Sequence, residues 1–106
     1  MLTERIGDGV EIGLEGELDL ATAPQLEAEL ERIHEQEWPF SQLVVNLRAL
    51  AFLDSAGLEV IVRLDRTARE RGYELAVVRG PRAVERLFAV MQLDRTLRIV
   101  DDPTDL

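Results

Sequence analysis

The sequence has 106 residues, of which 46% are hydrophobic and 31% are charged, as expected for one small domain with a single core. It contains no cysteine, which excludes disulfides and cysteine-bound metals, and no apolar run near the roughly 20 residues that a membrane helix needs. The net charge of −9 disfavours binding to nucleic acid or to an anionic membrane, and the N-terminus does not resemble a signal peptide. We therefore expect residues 1–106 to form one cytoplasmic domain without a metal or cofactor.

The acidic residues are concentrated in the first half of the chain. Residues 1–53 carry a net charge of −8, whereas residues 54–106 carry a net charge of −1. An acidic half favours association with a basic protein partner, because complementary fields speed the encounter. The alternative is that these acids only solvate the exposed face of the first helix and keep the domain soluble.

Two strands are predicted at the start of the chain, over residues 2–6 and 10–18. The turn between them is expected at Asp8 and Gly9, because glycine tolerates the positive φ of a two-residue hairpin loop. In the second strand, apolar residues alternate with polar residues or glycine, which predicts one buried face formed by Val10, Ile12 and Leu14.

Residues 19–36 are predicted to form the first helix. Thr22 is the expected N-cap, and Gln25 completes a Thr-x-x-Gln capping box. The helical spacing predicts one buried stripe, formed by Leu26, Leu30 and Ile33. His34 falls on the polar side as a solvated residue, and Trp38 either covers the core at the helix end or anchors a partner.

The middle of the chain predicts a central strand followed by a second helix. Residues 42–47 are apolar on both faces, as in a strand covered on each side, and residues 48–52 are expected to be a connection. The second helix spans residues 55–71 and ends at Gly72, where a left-handed residue is favoured. Its predicted buried stripe is Leu58, Ile61, Val62 and Ala68.

The last third of the chain predicts a strand at 73–78, a helix at 80–91 and a short strand at 97–100, before a flexible tail at 101–106. The residues of this third helix expected to face the core are Val84, Leu87, Phe88 and Met91. The whole order is β-β-α-β-α-β-α-β. This order predicts an α/β fold with a mixed sheet and helices packed on it.

Asp54 and Ser55 interrupt an apolar stretch where the central strand gives way to the second helix. In open α/β sheets, ligands and partners meet the fold at this edge. Either residue can serve as the helix N-cap, which would account for both without any further role. Gly57, in the first helical turn, costs about 1 kcal/mol relative to alanine and permits another backbone to approach closely. The pattern therefore leaves both a cap and a contact site open.

Three separated blocks of the sequence resemble the STAS domains of anti-sigma factor antagonists. They are GELD at residues 16–19, DSAGL at 54–58, and the third-helix segment that runs through Leu93, Asp94 and Arg95. The blocks occur in the family's order, and the resemblance extends over residues 10–102. It implies the STAS fold and a binding module rather than an enzyme.

The resemblance also implies a phosphorylation switch at Ser55. In such antagonists the partner is an anti-sigma factor that is also a serine kinase of the histidine-kinase-like ATPase fold. The unphosphorylated antagonist binds this kinase and frees the sigma factor, the phosphorylated form lets go, and a PP2C-type phosphatase resets the switch. The implied partner-binding residues are Asp19, Asp54, Ser55, Ala56, Gly57, Leu58 and Glu59.

Two positions depart from the commonest form of the motif. Ala56 removes a second hydroxyl that could accept phosphate, and Glu59 adds a negative charge within about one helical turn of Ser55, which bears on the choice of kinase. We expect a monomer, because no apolar helix face is left over once the core is filled.

The same residues are compatible with a second function. A STAS domain used without phosphorylation, as an adapter or as the soluble subunit of a lipid-transport ATPase, would share the Asp54-Ser55 stretch. A serine hydrolase is disfavoured, because Leu53 occupies the first glycine position of the Gly-x-Ser-x-Gly elbow. The basic residues of the second helix either form a solvated face or contact an acidic patch on a partner; they include Arg63, Arg66 and Arg69.

Overall fold

The computed structural model describes residues 1–36 and 39–105, and of Asp94 and Asp105 it describes only the backbone. Its strands are β1 (Leu2–Ile6), β2 (Gly9–Leu18), β3 (Gln42–Leu53), β4 (Glu74–Val78) and β5 (Ile99–Val100). Its α-helices are α1 (Ala23–Glu35), α2 (Ser55–Arg71) and α3 (Arg82–Val90), with short 3₁₀ turns at Leu93–Arg95 and Pro103–Asp105. No helix in this described part of the chain is long and apolar enough to span a bilayer.

The five strands form one sheet in chain order, β1-β2-β3-β4-β5. β1 is antiparallel to β2, and all the other neighbours are parallel. The predicted mixed sheet and the predicted order of elements are therefore confirmed. The core is built from alternate residues of the central strands and from the buried faces of all three helices. The expected stripe of α1 (Leu26, Leu30 and Ile33) and the alternating set of β2 (Val10, Ile12 and Leu14) are all buried.

The first hairpin turn lies one residue earlier than predicted. β1 ends at Ile6 and β2 begins at Gly9, so the loop residues are Gly7 and Asp8. Gly7 has a φ of +58°, which places the left-handed conformation at the first loop position. From the sequence alone, either Gly7 or Gly9 could supply that conformation. Because Ile6 pairs with Gly9 in the sheet, the loop position falls to Gly7.

The predicted capping box of α1 is wrong, although Thr22 is the N-cap residue. The Thr22 hydroxyl donates to the carbonyl oxygen of Glu17 and accepts from the amide of Asp19, each at 2.9 Å. The hydroxyl is therefore used to close the turn before the helix, and it is not available to the amide of Gln25. That amide donates to the carbonyl oxygen of Thr22 instead.

β3 is twice as long as predicted, because residues 48–52 continue the strand rather than leaving it. β2 stays paired with β3 as far as Leu18 and Leu53, through two shifts of register. A shift of register moves the next side chains to the other face of the sheet. The alternation of apolar and polar residues is broken there, so this part of the strand has no clear period-two pattern.

The buried faces of the later helices are mostly as predicted. α2 has the expected bounds and ends at Gly72 with a φ of +84°, although Val62 is only half-buried. In α3, Val84 and Phe88 are buried and Leu87 packs against the core. The prediction for Met91 is wrong, since α3 ends at Val90 and the Met91 side chain is 55% exposed.

His34 is half-buried, so the prediction of a solvated side chain is wrong. Its Nε2 lies 2.8 Å from the hydroxyl of Tyr73, and its ring stacks parallel to that of Phe40. Burial lowers the pKa of His34. The predicted role of Trp38 falls outside the described residues.

The segment after β5 makes ion pairs with the body of the domain. Asp101 lies 2.8 Å from Arg79, and its carbonyl oxygen accepts a hydrogen bond from Arg48. The predicted flexibility of residues 101–106 stays a prediction.

Candidate functional site

The candidate site lies where β2 and β3 end side by side and α2 begins. The two strands remain paired to their last residues, Leu18 and Leu53. The loop that leads into α1 and the first turn of α2 therefore start from adjacent positions at one edge of the sheet. This arrangement brings the GELD and DSAGL blocks together, although they lie about 35 residues apart in the sequence.

Asp54 is the N-cap of α2. Its Oδ1 accepts a hydrogen bond from the amide of Gly57 at 2.9 Å, which satisfies one of the free N–H groups at the helix start. Its Oδ2 lies 3.3 Å from the amide of Leu20, in the loop after β2. A single carboxylate therefore caps the helix and ties the two segments of the site to each other.

Ser55 is the first residue of α2 and its side chain is exposed. Because Asp54 supplies the cap, the Ser55 hydroxyl is not needed for that task, and it has no hydrogen-bond partner among the residues that the structure describes. His34, the one histidine of the sequence, lies 2.8 Å through its Nε2 from the hydroxyl of Tyr73. The site thus presents an exposed hydroxyl at the start of α2.

Gly57 is buried against the end of β2. A Cβ atom at this position would lie 2.3 Å from the carbonyl oxygen of Leu18 and 2.9 Å from its carbonyl carbon. The close backbone approach that the sequence predicted therefore takes place within the chain. Leu58 is also buried, with 3% of its surface exposed, and it lines the same groove as Ser55.

Asp19 organises the loop between β2 and α1. Its Oδ1 accepts hydrogen bonds from the amides of Ala21 and Thr22, both at 3.0 Å. The bond from the Thr22 amide is the main reason why the pKa of Asp19 is lowered. In the described part of the chain, Asp19 makes no hydrogen bond to Ser55 or Asp54. The two blocks are joined instead by the amide of Asp54, which donates to the carbonyl oxygen of Leu18, and by the amide of Leu20, which donates to the Asp54 carboxylate.

Several apolar residues around the site were not predicted from the sequence to belong to it. Leu20, which directly follows Asp19, is 78% exposed, and Phe52, two residues before Asp54, is 49% exposed. Met91 and Leu93 line a groove that begins at Ser55. The sequence indicates such site residues only by placing an apolar residue next to a motif. Their exposure depends on where β3 and α3 end.

Comparison with known proteins identifies the fold and the family. Residues 1–101 match the family model described as "Mlab, STAS domain". An anti-sigma-B factor antagonist of Listeria monocytogenes is 31% identical over 98 residues, which cover 92% of this chain and 84% of the relative.

Solved structures agree with this assignment. An anti-sigma factor antagonist from Mycobacterium paratuberculosis has a TM-score of 0.81 at 26% identity, over 98% of this chain and 86% of that one. The antagonist SpoIIAA in its unphosphorylated form has a TM-score of 0.74 at 19% identity, over 98% of this chain and 90% of that one, and shows the shared fold. The chain belongs to the STAS-domain family, among the anti-sigma factor antagonists.

Proposed function

We propose that this protein binds an anti-sigma factor through the surface around Ser55, and that phosphorylation of Ser55 releases it. The observation that carries the proposal is the exposed hydroxyl of Ser55, which has no hydrogen-bond partner in the described part of the chain, beside an Asp54 that already caps the helix. A kinase can therefore modify this hydroxyl without breaking a hydrogen bond of the described residues. The curated antagonist relative supports the class of partner.

The charges around Ser55 suit a switch of this kind. A phosphate would add about −1.5 to −2 charges at this position. Asp54 is the preceding residue, and Glu59 is exposed one helical turn further along α2. A partner that covers Ser55 would have to bury this added charge next to two carboxylates. A thousandfold loss of affinity needs only about 4 kcal/mol, which one buried, unpaired charge exceeds.

The finer identity of the partners is part of the proposal. The anti-sigma factor is a serine kinase of the histidine-kinase-like ATPase fold, a PP2C-type phosphatase removes the phosphate, and the antagonist acts as a monomer. Ala56 leaves Ser55 as the one hydroxyl of the DSAGL block, so the kinase has a single acceptor there. Asp19, next to the Leu20 that contacts Asp54, contributes to the same binding surface.

The test combines binding and phosphorylation with three variants. Ser55→Ala keeps the surface but removes the acceptor, Ser55→Asp adds charge, and Thr96→Ala removes another exposed hydroxyl as a matched control. Anti-sigma factors from the source organism are purified and incubated with each variant, with and without ATP. We expect Ser55→Ala to bind, Ser55→Asp to lose binding, and one added phosphate in the intact mass of wild type and Thr96→Ala only.

Two outcomes would contradict the proposal. The first is phosphate that still appears on Ser55→Ala. The second is a set of variants that all bind one transporter ATPase equally well, which would make the protein an adapter that works without phosphorylation.

A further inference from the structure

A groove of about 330 Å³ extends from Ser55 along α2. One side is the exposed face of α2, and the other is formed by Met91 and Leu93, just after α3 ends. The groove starts at Ser55 and reaches Arg66, which lies eleven residues further along α2, or about 16 Å at the helical rise. Any protein that covers Ser55 therefore has this groove directly beside it.

The centre of the groove is apolar. Val62 and Leu93 are half-buried there. The Met91 side chain is 55% exposed although it is apolar. Methionine adapts its shape to different apolar surfaces, and it is common where proteins bind partners. The neighbouring Val90 is 70% exposed but does not line the groove, so it can serve as a control position for Met91.

The charges along the groove are ordered. Glu59 lies near the Ser55 end, and the two basic residues, Arg63 and Arg66, lie further along. Arg63 forms an ion pair with Glu27, whereas Arg66 has no ion-pair partner among the residues that the structure describes. In a chain with a net charge of −9, the far end of the groove is thus locally basic.

We propose that this groove is the docking surface for an acidic, amphipathic segment of the anti-sigma factor. An apolar side chain of that segment seats between Val62 and Met91, and a carboxylate further along pairs with Arg66. Glu59 repels that carboxylate from the Ser55 end and so fixes the direction of the segment. The inference rests on the proposed function and adds the chemistry of the partner to it.

The position of the groove connects docking with the switch. A phosphate on Ser55 would stand at the entrance of the groove, on the side where Glu59 already lies. It would repel an acidic segment and would add bulk next to the apolar centre. The same segment would therefore be held by Arg66 in the unphosphorylated state and opposed by the phosphate afterwards.

The experiment measures dissociation constants by calorimetry with the purified anti-sigma factor that binds wild type. Met91→Asp and Arg66→Glu alter the groove, and their matched controls are Val90→Asp and Arg86→Glu, exposed residues outside it. All four positions are at least half-exposed or on a helix surface, and circular dichroism checks that each variant folds. We expect each groove variant to weaken binding by about tenfold or more and each control by less than about twofold.

A charge swap tests the pairing directly. Acidic residues of the anti-sigma factor are changed to lysine one at a time, and one of these changes is expected to restore binding to Arg66→Glu. The same change is expected to weaken binding to wild type.

The outcomes separate the two proposals. If the groove variants bind like their controls while Ser55→Asp loses binding, the groove proposal is wrong and the proposed function stands. If Ser55→Asp binds like wild type and no phosphate is transferred, the proposed function is wrong, and the groove proposal is wrong with it. If sedimentation shows a dimer that Met91→Asp dissociates, the groove is occupied by a second copy of this chain and the proposal is overturned.

Discussion

Replacing Gly57 with alanine has two opposite effects on the stability of the start of α2. Alanine is the better helix former, and the gain at an exposed helical position is about 1 kcal/mol. The Cβ atom of the new residue would lie 2.3 Å from the carbonyl oxygen of Leu18, far inside van der Waals contact. The structure therefore predicts that the steric effect exceeds the gain in helix propensity.

The size of the net effect follows from how firmly Leu18 is held. Its side chain is 2% exposed, and its carbonyl oxygen accepts a hydrogen bond from the amide of Asp54 at 3.3 Å. The backbone of β2 cannot retreat without breaking that bond and the last pairs of the β2–β3 ladder. Overpacking of a well-packed site costs about 1–3 kcal/mol, and such contact with backbone belongs at the upper end. We expect a net loss of about 2 kcal/mol in the free energy of unfolding.

Urea denaturation followed by circular dichroism measures this loss, with Gly13→Ala as the matched control. A Cβ atom at Gly13 would meet only the carbonyl oxygen of Leu2, at 3.7 Å, which is ordinary contact. Because glycine weakens a strand interior, the control is expected to be neutral or more stable by up to about 1 kcal/mol. If Gly57→Ala is instead more stable than wild type, the close approach of β2 to α2 is not as described and the reasoning fails.

Two further predictions concern pH. Hydrogen bonds from Arg32 lower the pKa of Glu29 to about 2, so Glu29 stabilises the fold above about pH 4.5 and this contribution is lost as pH falls toward 2. We expect Glu29→Gln to lower the free energy of unfolding by about 1 kcal/mol at pH 7. Urea denaturation should show no such difference from wild type near pH 2. A difference that persists at pH 2 would refute the stabilising role of the Glu29–Arg32 pair. Burial raises the pKa of Tyr73, the only tyrosine, to about 12. Tyrosinate absorbance should therefore titrate near 12 in the folded protein and near 10 in urea, and a folded midpoint near 10 would contradict the burial of the ring.

Most of the fold could be predicted because the helices and central strands have clear periods. The bounds of α2 follow from an apolar stripe of period 3.6 between an acidic N-cap and a C-terminal glycine. The errors lie where the pattern depends on distant pairing. The second half of β3 is a strand because β2 continues beside it, and its register shifts remove the alternation that a single sequence would show.

The candidate site was predictable in its residues but not in their separate roles. The sequence allowed either Asp54 or Ser55 to cap α2, because both side chains accept hydrogen bonds from backbone amides. Only the geometry shows that the Asp54 carboxylate accepts from the amides of both Gly57 and Leu20, so that Ser55 is not needed as the cap. The groove wall at Met91 was missed since the helical period continues one residue beyond the point where α3 ends.

These separate roles decide what a phosphate on Ser55 would act upon. If Ser55 were the cap, phosphorylation would remove a hydrogen bond worth about 1 kcal/mol and loosen the first turn of α2. With Asp54 as the cap, that bond to Gly57 remains, and the partial positive charge of the helix start offsets the repulsion between phosphate and Asp54. The free domain would keep its fold in both states. The electrostatic cost would then fall on the complex, where the partner has to bury the added charge, so binding can be switched without refolding.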